Sequence, residues 1–116
     1  MLMPSCAVFT SCCVERESRV TKTESLVLKT ATQRLLPPWL CARYGYLSAG
    51  MMCARSPYPN ESPSSGDSGS ALITDDFQQI GLVSFIFSDY PNTPIYTNVS
   101  YYYDWITRKS LILYCG

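Results

Sequence analysis

The side chains that could do chemistry in this sequence lie mainly in one loop and in six cysteines. Residues 55–70, RSPYPNESPSSGDSGS, are rich in serine, proline and glycine, and composition alone favours a flexible surface loop. The chain has no histidine, which is the usual general base near neutral pH and the commonest metal ligand. Any base or metal site would therefore have to use other groups.

The cysteine spacing argues against a metal site. The cysteines are Cys6, Cys12, Cys13, Cys41, Cys53 and Cys115. They contain no C-x-x-C pair, so we expect no metal and no cofactor. A disulfide interpretation fits better and implies an oxidising compartment. Two N-x-S/T sequons, at Asn60 and Asn98, are compatible with secretion.

Composition bounds the fold and the partners. The 116 residues suffice for one domain, and 47% hydrophobic with 16% charged residues is ordinary for a globular protein. Lys+Arg and Asp+Glu both number 9, so nothing in the net charge attracts nucleic acid or an anionic membrane. Residues 1–14 make a poor signal peptide, because Pro4 interrupts them and no basic residue precedes them. We expect no nucleic-acid partner and no membrane insertion.

Several short apolar runs predict β-strands. Residues 26–36 alternate over part of their length, which indicates a half-buried strand, and residues 51–54 suit a short buried one. Residues 71–73 and 78–87 flank a polar turn and predict a hairpin, and residues 94–99 predict another strand. The sequence therefore predicts a mostly-β domain with many short strands.

The C-terminal segment predicts a helix. Residues 100–110, SYYYDWITRKS, have Ser100 as the expected N-cap and an aspartate in the first turn. Four residues fall at helical spacing, from which we expect one face to pack on the preceding strands: Val99, Tyr102, Tyr103 and Ile106.

Four blocks in succession, MMCA, GDSGSAL, GLVSF and PIYTNVSYYYDWI, resemble the trypsin/chymotrypsin family of serine proteases in that family's order and spacing. One G-D-S-G match would be weak, but four blocks over about residues 41–107 are specific. The resemblance implies an all-β fold: the C-terminal six-stranded antiparallel Greek-key barrel of a trypsin-like fold, incomplete, with a C-terminal helix. It assigns residues 26–116 to the C-terminal half of the peptidase domain. Residues 1–25 are left as a poorly matching N-terminal segment that could be disordered.

The resemblance implies peptide-bond hydrolysis through an acyl-enzyme, with Ser68 as the nucleophile. The N–H groups of Gly66 and Ser68 match the oxyanion hole, which holds the charge that forms on the scissile carbonyl. Asp67 matches the residue that receives the new N-terminal amine on zymogen activation; alternatively, it is a turn aspartate that bonds its own backbone. The family's triad histidine and aspartate lie outside the matched region. The chain is therefore expected to be inactive alone.

The resemblance also implies where substrate would lie. Ser84 and Phe85 match the segment along which the substrate backbone adds as a strand. Ile86 and Pro94 stand where the family commonly has glycine at the mouth of its specificity pocket, and Ser62 stands at the pocket floor. An uncharged floor with two bulky walls predicts either a preference for small apolar side chains or a blocked pocket.

Cysteine placement agrees with the family only in part. Cys41 and Cys53 match a family disulfide, and Ser64 and Thr74 stand where the family often has other cysteines. The remaining cysteines have no assignment in the family: Cys6, Cys12, Cys13 and Cys115.

Three interpretations remain open at this point. The chain could be part of a serine endopeptidase, a non-catalytic protease homologue that binds peptides or proteins, or an unrelated Cys-rich secreted module. The first interpretation accounts for the absent base. The second is favoured by the bulky residues Ile86 and Pro94. The third predicts that all six cysteines are paired in disulfides. The expected partners are a peptide or protein substrate or inhibitor and a missing N-terminal barrel. By family the protein would be extracellular, although the chain shows no convincing signal peptide.

Overall fold

The computed structural model describes residues 5–12, 24–59, 61–63 and 66–115, with only the backbone for residues 5–12, 24–28 and 114–115. The strands are β1 Ser5–Cys12, β2 Glu24–Leu35, β3 Met51–Arg55, β4 Ala71–Thr74, β5 Gln79–Phe85 and β6 Ile95–Asn98. The helices are α1 Pro38–Cys41, a 3-10 turn Val99–Tyr102 and α2 Tyr103–Cys115.

The strands form a closed antiparallel barrel in the order β1-β2-β3-β6-β5-β4. Strands β4, β5 and β6 pair in succession, and β3 lies beside β6, which is a Greek-key arrangement. β1 pairs with both β2 and β4 and so closes the barrel. The predicted mostly-β antiparallel barrel with a terminal helix is confirmed. β1 lies within residues 1–25, where the sequence pattern predicted no strand.

Two apolar clusters fill the barrel and its flank. The first consists of buried side chains from β2 to β6: Ala31, Ala54, Leu72, Val83 and Tyr96. The second lies around a disulfide between Cys41 and Cys53, whose Cα atoms are 5.8 Å apart, with Ile95 buried against it. The disulfide that the family resemblance implied is therefore confirmed.

The other two positions of family cysteines behave differently. Thr74 ends β4, and its Oγ1 accepts a hydrogen bond from the backbone N–H of Gln78 at 3.1 Å. A threonine thus helps to form the β4–β5 turn. Ser64 lies outside the described residues.

A buried polar group connects β2 to the loop that precedes the Gly66–Gly69 turn. Gln33 is fully buried, and its Nε2 donates to the carbonyl of Glu61 at 3.0 Å. The hydroxyl of Tyr96 donates to Gln33 Oε1 at 3.2 Å, and Glu61 Oε1 accepts from the N–H of Thr32 at 2.9 Å. Because a buried amide needs partners to offset its desolvation, this network fixes the loop against the barrel wall.

The start of the C-terminal helical segment differs from the prediction. Asn98 caps the 3-10 turn by accepting a hydrogen bond from the N–H of Ser100 at 3.1 Å, so Ser100 is not the N-cap. The 3-10 turn separates β6 from α2, and α2 begins three residues later than predicted, at Tyr103. Asparagine and serine both cap helices well, so residue type did not decide between Asn98 and Ser100. The cap lies at Asn98 because β6 ends there, one residue earlier than the sequence pattern suggested.

The expected packing on the strands is wrong for α2, although Val99, in the 3-10 turn, is half-buried. Residues 101–113 are all exposed, and within α2 the side chains of Trp105 and Leu113 are 55% and 84% exposed. Tyr102, in the 3-10 turn, contacts Gly50 next to β3. Its ring occupies the space that a Cβ on Gly50 would need. An apolar helix face is thus left open. No helix among the described residues has the length and apolar character needed to cross a bilayer.

Candidate active site

Ser68 lies on an exposed turn that two backbone hydrogen bonds fasten to β5. The N–H of Gly69 donates to the carbonyl of Val83 at 2.8 Å, and the N–H of Val83 donates to the carbonyl of Ser70 at 2.9 Å. Within the turn, the N–H of Ser70 donates to the carbonyl of Asp67 at 2.9 Å. These bonds extend the antiparallel β4–β5 pairing by two residues. The Ser68 side chain is exposed at the end of that pairing.

Glycine is required on both sides of this serine for conformational reasons. Gly66 has φ +94° and Gly69 has φ +88°, in the region that L-residues rarely adopt. A Cβ at either position would meet no atom within 4 Å. Backbone conformation, and not lack of space, therefore selects glycine here.

Asp67 points the other way from its neighbours. Its side chain is 1% exposed, whereas Gly66, Ser68 and Gly69 are all exposed. A buried carboxylate is stable only with hydrogen-bonding or cationic partners. The turn therefore presents the serine outward and holds the carboxylate inward.

Ser84, Phe85 and Ile86 lie next to this turn, because Val83 is the residue to which the turn is bonded. Ser84 is exposed, and Phe85 and Ile86 are half-buried. Phe85 packs edge-on against Phe87, with ring centroids 5.2 Å apart. The predicted nucleophile and the predicted substrate-strand segment are thus brought together at one end of the barrel.

Ser62 and Pro94 lie in two loops that contact one another. Ser62 is half-buried, and its hydroxyl lies within hydrogen-bond distance of the carbonyls of Pro63, at 3.2 Å, and Pro91, at 3.3 Å. Pro94 is buried, and its carbonyl accepts from the N–H of Ala54 at 3.3 Å. The Ser62 hydroxyl is therefore engaged by backbone and brings no charge to this region.

Arg55 has a structural role that the sequence reading missed. Its Nε and Nη2 donate to the buried Thr93 Oγ1 at 3.0 and 2.7 Å, and its guanidinium lies 5.1 Å from the ring centroid of Tyr44. Tyr44 in turn contacts Tyr90 edge-on at 4.8 Å. This cluster joins the end of β3 to the loops that follow α1 and β5. Its only sequence signal is an arginine directly after the apolar residues 51–54.

The described groups do not form a complete catalytic set. No described side chain forms a hydrogen bond with Ser68, and the sequence contains no histidine to accept its proton. Across the described residues, no three Cys, Asp or Glu side chains converge as metal ligands. A free serine hydroxyl is a weak nucleophile until a base removes its proton.

A family model described as Trypsin matches residues 3–106. The chain belongs to the trypsin family. Within that family, the mouse protein Transmembrane protease serine 11C is 39% identical over an alignment of 72 residues. The alignment covers 57% of this chain and 17% of the mouse protein. This match rules out the unrelated Cys-rich module.

The solved structure of neuropsin, a serine protease expressed in the limbic system of mouse brain, shares the fold. The TM-score is 0.75 at 22% identity, and the alignment covers 95% of this chain and 49% of neuropsin. The predicted trypsin-like fold class is confirmed. The chain spans about half the length of this solved structure and 17% of the curated mouse relative.

Proposed function

We propose that this chain is the nucleophile-bearing half of a trypsin-type serine endopeptidase and is inactive alone. The observation that carries this proposal is the exposed Ser68 on a turn fixed to β5, with glycines at positive φ on both sides. A rigid exposed hydroxyl beside backbone N–H groups is the arrangement that acyl transfer needs.

In the proposed reaction, Ser68 Oγ attacks the carbonyl carbon of the scissile peptide bond. Its proton passes to a base and then to the leaving amine, and water later releases the acyl group. The N–H groups of Gly66 and Ser68 hold the oxyanion, and loss of one such donor costs about 3–4 kcal/mol of transition-state stabilisation. Since this chain has no histidine, the base must come from elsewhere.

The proposed source of the base is a second barrel that packs against α2. An isolated helix of this length is marginal in water, and the described side chains of α2 are all exposed, from Tyr103 at 64% to Leu113 at 84%. Such apolar exposure is typical of a surface that is covered by a partner. About half of the neuropsin fold also has no counterpart in this chain.

The substrate proposal follows from the loops beside Ser68. Ile86 and Pro94 would narrow the pocket, and Ser62 places no carboxylate at its floor. A small apolar side chain before the scissile bond fits this set best. Asp67, held inside the turn, is the proposed acceptor of a new N-terminal amine, and the proposed setting is extracellular.

Active-site labelling tests the proposal. A fluorophosphonate should label this chain only when it is co-expressed with a trypsin-type N-terminal half that carries the histidine. Ser68→Ala should abolish the label. Ser70→Ala is the matched control, because Ser70 contributes only its backbone to the turn. Absence of label on Ser68 in a complex verified by native mass spectrometry would refute catalysis.

That negative outcome would favour the second candidate, a non-catalytic homologue that binds peptides. The half-buried Ile86 and the buried Pro94 are the observations that support it, because they could close the pocket to side chains. Such a protein should still bind an extended peptide along Ser84 and Phe85. In that case neither an unreactive peptide nor a peptide aldehyde should depend on Ser68 for binding. In the catalytic candidate, aldehyde binding should depend on Ser68, because the aldehyde forms a reversible adduct with an activated serine.

A further inference from the structure

Asn98 is one of three asparagines in the sequence and begins the triplet Asn98-Val99-Ser100. N-x-S/T triplets without proline in the middle are acceptors for N-linked glycans. The other sequon begins at Asn60, which lies outside the described residues. Asn92 is followed by Thr93 and Pro94 and is not an acceptor triplet. Asn98 is therefore the one sequon asparagine whose surroundings the structure describes.

The backbone fixes the position of Asn98 at the surface end of β6. Its N–H donates to the carbonyl of Gly50 at 2.8 Å, and its side-chain Oδ1 accepts from the N–H of Ser100 at 3.1 Å. The side chain thus caps the 3-10 turn with its oxygen alone. Within the described part of the chain, the amide nitrogen Nδ2 donates no hydrogen bond.

Space is available on this side of the barrel. Asn98 is half-buried and lines a cleft of about 320 Å³ together with Leu47, Ser48 and Met51. Ser100, the third residue of the sequon, is exposed. A substituent on Nδ2 would not alter Oδ1, so Oδ1 can still accept the hydrogen bond from the N–H of Ser100 after modification.

We propose that Asn98 carries an N-linked glycan. In the transfer, Nδ2 bonds to the anomeric carbon of an oligosaccharide that is linked through a diphosphate to a lipid. The bond between that carbon and the diphosphate oxygen breaks, the lipid diphosphate leaves, and Nδ2 loses one proton to a base on the transferase. The inference depends on passage through the secretory pathway and is independent of any catalytic role for Ser68.

The location gives the glycan a physical effect. The 3-10 turn that Asn98 caps presents Tyr101, 59% exposed, and leads directly into the exposed apolar α2. A hydrophilic, bulky group at this junction would cover part of the aromatic surface. Glycosylated chain should therefore remain soluble at higher concentration than unglycosylated chain.

The experiment expresses the full chain behind a cleavable secretory leader in mammalian cells, with a C-terminal tag that contains a known acceptor sequon. Molecules are purified through the tag glycan, so every molecule scored has met the transferase. Peptide N-glycosidase in heavy-oxygen water then converts each glycosylated asparagine to a mass-labelled aspartate. Chymotryptic cleavage after Tyr96 and Tyr101 separates the Asn98 peptide from the other two asparagines.

We expect the mass label on the Asn98 peptide, its complete loss in Ser100→Ala, and its retention in Ser100→Thr. Ser100→Ala is the appropriate variant because it removes only the hydroxyl and keeps the N–H that Asn98 caps. An unlabelled Asn98 peptide in wild-type chain whose tag is glycosylated would overturn the proposal. Persistence of the label in Ser100→Ala would do the same.

Discussion

Replacing Gly66 or Gly69 with alanine should separate backbone strain from oxyanion stabilisation. The two glycines have nearly equal φ, +94° and +88°, and a Cβ at either position meets no atom within 4 Å. Both substitutions should therefore cost about the same stability, roughly 1–2 kcal/mol for a left-handed L-residue. They differ in one respect. The N–H of Gly69 is already bonded to Val83, whereas the N–H of Gly66 is a proposed oxyanion donor.

Two quantities are measured on the complex of this chain with a trypsin-type N-terminal half that carries the histidine: the free energy of unfolding and the rate of active-site labelling. Urea unfolding followed by far-UV circular dichroism should give similar losses for Gly66→Ala and Gly69→Ala. The rate of fluorophosphonate labelling at Ser68 should fall about 100- to 1,000-fold in Gly66→Ala, if alanine turns that N–H away. In Gly69→Ala it should fall much less. Equal losses of rate in both variants would refute the argument, because labelling would then depend on loop strain alone.

Two further predictions concern stability. The double substitution Cys41→Ala with Cys53→Ala removes a buried disulfide across a sequence separation of 12, and should lower the free energy of unfolding by about 3 kcal/mol. An unchanged urea midpoint under non-reducing conditions would contradict this. Arg55→Met removes both hydrogen bonds to Thr93 and the contact with a tyrosine ring, and should cost about 1–2 kcal/mol. Arg43→Met, at another exposed arginine, is the control and should change the urea midpoint little.

The parts of the fold that were predictable from sequence are those that local patterns encode. Alternation gave the strand at Glu24–Leu35, and the polar turn between two apolar runs gave the β4–β5 hairpin. The family resemblance singled out Ser68, and the short G-D-S-G segment contains both glycines that adopt positive φ around it. In each case the signal lies within a few residues, so one sequence contains it.

The errors concern relations between distant residues. Helical spacing predicted an apolar face that includes Ile106, but spacing alone does not show what packs against such a face. Among the described residues, nothing covers Ile106. Gln33 and Glu61 are bonded although they are 28 residues apart, and no local pattern pairs them. The catalytic role of Ser68 and the amine-binding role of Asp67 remain predictions, because they depend on groups outside this chain.

The closure of the barrel by β1 has a consequence for synthesis on the ribosome. β1 and β2 can pair early, but the other edge of β1 pairs with β4, whose residues Ala71–Thr74 are made more than half a chain later. Until then a nascent chain presents an unsatisfied strand edge, which is a template for pairing with other chains. Folding of this domain is thus expected to be slow and dependent on protection of that edge during translation.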